Sequence, residues 1–587
     1  MGENIDPTWL AFAGRAPLDR GEVESRVARV ERHYAQLVDY PLGVSIATAG
    51  HSGLAIAGDA EPRCRWPHFV DGEALAVATA YVPAGWSRLV GGDPARAPLA
   101  LAQAVVDDPA AAIGELSPPV AIAVLDRRSG GLLVVNDSLG AARAFTLTSG
   151  EMTVWSNRPG ALAIFAGVQP AADEQGWRVL AGAGWPLGGS SPIRGVSRLG
   201  PGTVCRADPK GAVSCEPSHA VRSLVAPDQS WRDLAEPAGA QMVSQAREVA
   251  SLWPEQADVD LSGGRDSRVT AAATIAAGID ARYLTSDATP GEGEVAQELI
   301  ALQGGGLKHR IRRRKAGSAS PGTPLLERAA NLHLLHDGVR HPQKLRGKMT
   351  LPRPRPQGAK FSGHGGEIAH GFFYRDRAEV RGLRFRPNAL TRRLDRFFAH
   401  GHDATGDTAV QAARDAVEAV LDEGRGYGLR GPVLLDWFYL VDRFAHRSGL
   451  GTDSERSVLF AVPGVVAAAF AMSPRERVDG ELHRRLTAQF IPAWEGVPYF
   501  QSTEQKIGRQ RRERLWEVEA DAGVVEDILA AGGAWTELWD RDTAVSDWRA
   551  LRAGEGNRKA ENLFEGIVYR ASFDQHLERL GRAARAA

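Results

Sequence analysis

The chain has 587 residues, which at ~150 residues per domain points to several units, two or three large ones as readily as four. Hydrophobic residues make up 43% and charged residues 24%, ordinary values that exclude disordered and fibrous classes. Lys plus Arg number 70 against 71 Asp plus Glu, a net charge of -1, which argues against general nucleic-acid or membrane-surface binding.

In chain order, the first 220 residues hold short apolar runs separated by turn signals. Pro119–Leu125, Gly131–Val135 and Met152–Trp155 predict strands, with turns at 127–130 and 148–150. Asp173 is placed to cap a short helix running to Ala181. Gly200-Pro201-Gly202 leads into a hairpin through Thr203–Ala207 and Ala212–Cys215. From about residue 230 the texture changes. Long helices are predicted at Trp231–Leu252 and Ala409–Glu423. Between them Val259–Leu261 precedes a helix over Val269–Ala277, and Tyr283–Thr285 precedes another starting near Gly293. Strands alternating with helices predict a parallel sheet covered on both faces. The boundary is expected at 218–230, giving units at 1–220 and 230–587.

Three cysteines, Cys64, Cys205 and Cys215, have no metal-ligand spacing and are too few to staple so long a chain, so reduced thiols and a cytoplasmic setting are expected. Met1–Asp6 lacks the basic and apolar regions of a signal peptide. The longest apolar run, Leu459–Met472, is interrupted by Pro463 and Gly464 and is too short to span a bilayer. The expectation is a chain with no membrane and no nucleic-acid partner. Two basic stretches, His309–Lys315 and the Pro-rich His341–Lys360, predict solvated loops or a surface for an anionic ligand or peptide. Pro352, Pro354 and Pro356 predict that the second is extended and mobile.

The strongest chemical signal is Asp260-Leu261-Ser262-Gly263-Gly264-Arg265-Asp266-Ser267. It lies between a predicted strand and a predicted helix. Gly263 and Gly264 allow a sharp turn and close backbone approach to a ligand. Ser262 and Ser267 add hydroxyl donors, and the helix start adds free N–H groups and a positive dipole end. That combination is an anion cradle suited to phosphates. Asp266 is unfavourable beside phosphate unless a metal intervenes, which points to Mg2+.

This string resembles the pyrophosphate loop, Ser-Gly-Gly-x-Asp-Ser, of the N-type ATP pyrophosphatases. The resemblance implies that ATP is cleaved to AMP and pyrophosphate while a carboxylate is adenylated. A second string, Phe361-Ser362-Gly363-His364-Gly365-Gly366-Glu367-Ile368, resembles Ser-Gly-x-Gly-[Ala/Ser]-Asp-Glu of asparagine synthetases. Glu367 then matches the acid that helps bind magnesium pyrophosphate, and Ile368 replaces the following Glu. β-Lactam synthetases also lack that second acid. They carry a tyrosine, part of the base for the attacking amine, where this chain has His364, which makes His364 a candidate general base. The resemblance further implies an ATP site including Leu261, Thr285 and Gly363, metal ligands Asp266 and Glu367, and a catalytic lysine at Lys506 that stabilises developing charge. Leu335-His336-Asp337-Gly338 resembles the family's Asp-containing loop, and Arg443–Arg456 resembles a segment in which Glu455 and Arg456 are paired.

The first part resembles the class II glutaminase domain of the same family, through Asn136-Asp137-Ser138-Leu139-Gly140 and Ile193-Arg194-Gly195-Val196. The implied fold is an Ntn-hydrolase-like α+β sandwich followed by a parallel-sheet synthetase domain. A working glutaminase of this kind uses an N-terminal cysteine, and Gly2 stands there. The branches expected are therefore those whose substrate brings its own amine: lasso-peptide macrolactam cyclases, or small-molecule β-lactam and amide synthetases. An ammonia-dependent asparagine synthetase-like ligase and an inactive scaffold remain as alternatives. A lasso cyclase implies a precursor core peptide as substrate, with a leader-binding protein and a leader protease as partners.

Overall fold

The computed structural model describes residues 5–286, 291–312, 322–347, 349–374, 376–385, 389–395, 398, 402–447, 456–500, 514–555 and 559–586. The first strands are β1 (Thr8–Gly14), β2 (Leu42–Ala49), β3 (Ser52–Asp59), β4 (Phe69–Asp71), β5 (Leu75–Thr79) and β6 (Ala121–Asp126). They are followed by β7 (Gly131–Asn136), β8 (Phe145–Ser149), β9 (Met152–Ser156), β10 (Val196–Arg198), β11 (Thr203–Ala207) and β12 (Val213–Pro217). These build two antiparallel sheets, ordered β10-β8-β9-β1-β3-β2 and β12-β11-β7-β6-β5-β4.

The sheets stack because their strands are apolar on both faces. In β1, Trp9, Ala11 and Ala13 point into the core between the sheets, while Leu10 and Phe12 point outward onto helices. In β6, Ala121, Ala123 and Leu125 face inward and Ile122 and Val124 face outward. Period-two alternation with both faces covered gives four layers, helix–sheet–sheet–helix. This is the α+β sandwich expected from the sequence. The Asp173 carboxylate accepts from Gly176 N at 2.7 Å and caps the helix Glu174–Ala183, as predicted.

Cys205 and Cys215 face each other across β11 and β12 and are joined by a disulfide. This corrects the expectation that all three thiols are reduced. Counting cysteines against chain length missed that directly opposed residues of an antiparallel pair have neighbouring side chains.

The remaining strands, β13 (Ala257–Asp260), β14 (Ala281–Ser286), β15 (Lys308–Arg312), β16 (Lys360–Phe361) and β17 (Arg456–Ser457), form a parallel sheet ordered β15-β14-β13-β16-β17. Helices Trp231–Ser251 and Arg265–Ala276 bracket β13 in the chain. The final helix, Lys559–Arg585, returns to the sandwich. Its Phe573 ring lies 4.9 Å from Trp177, and its Leu577 and Leu580 share a core with Leu162 and Phe165. Among the described residues no helix is long and apolar enough to cross a membrane.

The described residues of the Pro-rich stretch, 341–347 and 349–360, do not form the solvated loop expected. Arg353 N donates to Leu37 O at 2.7 Å, Asp39 N donates to Arg353 O at 3.0 Å, and Arg355 pairs with Asp59 at 2.7 Å. Leu345 is fully buried. Prolines fix φ but leave carbonyls and neighbouring N–H groups free to bond, and here those groups tie the stretch to the sandwich. Residues 309–312 of the other basic stretch lie in edge strand β15, and 313–315 lie outside the described residues.

Candidate active site

In the parallel sheet the chain runs outward from β13 through β14 to β15, then returns to the other side of β13 as β16. That reversal is a topological switch point, and open α/β sheets bind ligands at the carboxyl ends of the strands there. The loop after β13 is Leu261–Gly264, and the loop after β16 is Ser362–Gly365. Both sequence motifs therefore meet at the switch point.

Their contact is tight. A Cβ on Gly363 would lie 2.3 Å from Ser267 N and 2.6 Å from the Asp266 carbonyl carbon. A Cβ on Gly366 would lie 2.4 Å from the Asp266 carboxyl carbon. Only glycine allows the second loop to lie against the first helical turn. Within the first loop, Ser262 Oγ and Ser267 Oγ are 2.8 Å apart, Ser262 N donates to Ser267 Oγ at 3.0 Å, and Gly264 N donates to Ser262 Oγ at 3.1 Å. The helix Arg265–Ala276 starts at Gly264 without a side-chain cap. Leu261 is buried, with its N–H on Leu284 O at 3.0 Å.

Gly263 O accepts from Phe500 N at 2.9 Å, and Arg268 donates to the carbonyls of Val497 and Pro498 while its guanidinium covers the Tyr499 ring at 4.5 Å. The chain leading toward Lys506 is thus fastened to the loop; Lys506 itself lies outside the described residues. Thr285 is fully buried at the end of β14, with its hydroxyl donating to Leu261 O at 2.7 Å and 2.9 Å from His309 Nε2. Its side chain holds strands together at the rim. Asp337 sits away from these loops, in a left-handed conformation (φ 49°), bound to Tyr34 and His576. Arg456 lies in β17, and its expected partner Glu455 lies outside the described residues.

Three further residues surround the two acids. His483 Nε2, from the helix Glu481–Phe490, is 2.8 Å from Asp266 Oδ1, and His370 Nε2 is 3.6 Å from the same oxygen. Tyr439 opens a π-helix, Tyr439–Arg447, and donates its hydroxyl to Glu367 Oε2 at 2.7 Å. Tyr439 and His483 reach the site from distant helices, so no local pattern announces them. His370 stands three residues after Glu367 in the same turn, the one spacing that offered a clue.

Burial pushes the Asp266 carboxyl upward, but the imidazoles of His370 and His483 beside it outweigh burial and hold the group well below the usual carboxylate range. Burial drives His364 down to about 4, with Glu367 opposing and Arg456 and Arg340 adding to the drop. Its Nε2 is enclosed with no hydrogen-bond partner, and its ring stacks on Phe444 at 5.6 Å. At neutral pH His364 is an uncharged imidazole with a free lone pair.

Among the described residues no group of three or more His, Cys, Asp or Glu is arranged to hold a metal alone. Mg2+ does not need one, since it is usually held by one or two carboxylates together with substrate phosphates. The ionised Asp266, whose carboxyl group lies against Gly366, fits that mode.

No protein-family model matches the chain, and no curated protein matches it. Among solved structures it is similar to an allosteric regulatory enzyme of purine biosynthesis, at 10% identity and a TM-score of 0.25, over 52% of this chain and 80% of that one. It is also similar to glutamine phosphoribosylpyrophosphate amidotransferase from B. subtilis complexed with ADP and GMP, at 10% identity and a TM-score of 0.24, over 62% and 83%. Likenesses this weak carry nothing about the chemistry of this chain.

Proposed function

We propose that the chain is an ATP-dependent amide-forming enzyme that adenylates a carboxylate and closes a ring with an amine of the same substrate. The observation that carries this reading is the meeting of Leu261–Gly264 and Ser362–Gly365 at the switch point, with Asp266 against Gly366. In this reading the N–H groups at the start of Arg265–Ala276, with Ser262 and Ser267, hold the β- and γ-phosphates as the carboxylate displaces pyrophosphate from the α-phosphorus. Asp266 and Glu367 would hold Mg2+, which when bound neutralises phosphate charge. The His364 imidazole takes the proton of the attacking amine. Lys506 would stabilise the charge that develops on the acyl oxygen.

The cysteines support an amine supplied by the substrate. Cys64 is buried, which raises its thiol to about 11, and Cys205 and Cys215 are joined. No accessible thiolate is left to release ammonia from glutamine. Incubation with glutamine is expected to yield no glutamate above background; formation that tracks protein concentration would contradict this assignment.

Within this reading we place the core peptide of a lasso precursor as substrate, on the resemblance alone. A leader-binding protein and a leader protease then act before ring closure. The cyclisation test is mass spectrometry of the chain with ATP, Mg2+ and candidate core peptides. The expected product is the peptide lighter by one water, with its N-terminal amine blocked. An adenylated small amino acid with no peptide product would move the reading to a small-molecule synthetase.

Gly363→Ala tests the loop contact. The added methyl meets backbone, which cannot rotate away, so the loops must separate. A displacement of ~1 Å at reacting groups costs on the order of 10²-fold in rate. Pyrophosphate exchange is expected to fall by about that factor, with a lower melting temperature. Parent-like exchange would show that the loops do not act together.

A further inference from the structure

The strongest unassigned arrangement is the pair of imidazoles over Asp266. His483 is fully buried, on a helix packed against Arg265–Ala276, with its ring 5.4 Å from Phe460. Its Nε2 lies 2.8 Å from Asp266 Oδ1, and its Nδ1 is enclosed with no partner. An ionised carboxylate only accepts, so the proton sits on Nε2 and Nδ1 keeps a lone pair. His370 Nε2, at 3.6 Å from the same oxygen, is beyond a hydrogen bond but close enough to crowd Oδ1 further. No hydrogen bond among the described residues takes Oδ2, and the Asp266 side chain keeps 27% of its surface open.

We infer that His483 is a positioning residue: its N–H commits Oδ1 of Asp266, so that Oδ2 is the oxygen offered to the divalent cation that accompanies ATP. The inference rests on the adenylating reading above. It adds a requirement that neither sequence motif contains. A carboxylate on a short side chain at a helix start has several rotamers, and a metal site tolerates few. A buried donor on one oxygen selects one of them without touching the cation, the role that partners of ligating groups play in metal sites generally.

The test uses the full chain with Mn2+ as probe and α,β-methylene-ATP, which cannot be cleaved at the α-phosphorus, with free Mn2+ followed by electron paramagnetic resonance. His483→Leu keeps the volume and removes the donor; Mn2+ affinity is expected to fall ~10–100-fold. His483→Gln carries an amide N–H to the same reach and is expected to stay within about threefold of the parent. His483→Asn carries the donor too short and is expected to behave like the leucine variant, which supplies a second loss variant if leucine disturbs folding by thermal melting. In pyrophosphate exchange the loss should appear in the Mg2+ activation constant and recover at saturating Mg2+. Parent-like Mn2+ affinity in a folded Leu or Asn variant would overturn the inference alone, as would a Gln variant as weak as Leu. A parent chain that binds no Mn2+ with the nucleotide would overturn the adenylating reading and this inference with it.

Discussion

Asp266→Asn is expected to abolish carboxylate-dependent exchange of pyrophosphate into ATP while leaving the protein folded. Asparagine keeps an oxygen for the His483 N–H, 2.8 Å away in the parent, so the buried imidazole stays bonded. What disappears is the negative charge. In a site built of N–H groups, hydroxyls and phosphates, that charge is tolerable only with a cation between. Removing one preorganised electrostatic group typically costs ~10²–10³-fold, and losing the residue that would hold a charge-neutralising cation should reach or exceed that. Asp266→Ala removes the same charge and also strands the His483 donor, so it should show the same kinetic loss with lower stability. Full exchange by a folded Asn variant would dismantle the metal assignment.

His364→Ala is expected to separate the two half-reactions. Adenylation needs the phosphate cradle, the cation and a carboxylate, and no proton leaves a nitrogen in it. Closure requires an ammonium to lose a proton, and a positioned base contributes ~10²–10⁴-fold. The variant should therefore exchange pyrophosphate near the parent rate and form product slower by that factor. Burial lowers the His364 pKa to about 4, so its lone pair is free at all pH values well above that. The ratio of parent to variant closure rates should stay level from pH 8 to 5 and drop toward unity near pH 4. An unperturbed imidazole would place that drop near ~6.5. A level ratio of one at every pH would make the histidine structural. Loss of both half-reactions would show that it shapes the loop carrying Glu367.

Much of this site was legible because its parts are local strings. Ser262 to Ser267 carries its own turn, its hydroxyls and its helix start, and the structure puts that helix at Arg265, four residues earlier than the apolar spacing predicted. The polar residues Arg265–Arg268 hide the first turn from any reading of hydrophobic period. The groups holding the acids were not legible: His483 lies 217 residues from Asp266 and Tyr439 lies 72 residues from Glu367. A single histidine on an amphipathic helix has no sequence mark that separates a core residue from a partner of a carboxylate.

The sandwich shows the same division. Strands β6, β7, β9 and β11 stood out as branched or aromatic runs between turn residues. Strand β1 did not, because alanines at 11 and 13 alternate with Leu10 and Phe12 and read equally well as helix. The hairpin of β2 and β3 turns at Gly50 with a partly exposed first strand, so its pattern was weak. The fate of 341–360 depended on partners such as Leu37 and Asp59, which no local composition discloses.

The most direct test is product analysis of ATP turnover by the parent chain, with and without candidate carboxylate substrates. Substrate addition is expected to yield AMP and pyrophosphate in equal amounts, and Asp266→Asn is expected to yield neither. Formation of ADP and inorganic phosphate instead, or turnover that Asp266→Asn leaves intact, would contradict the adenylating reading.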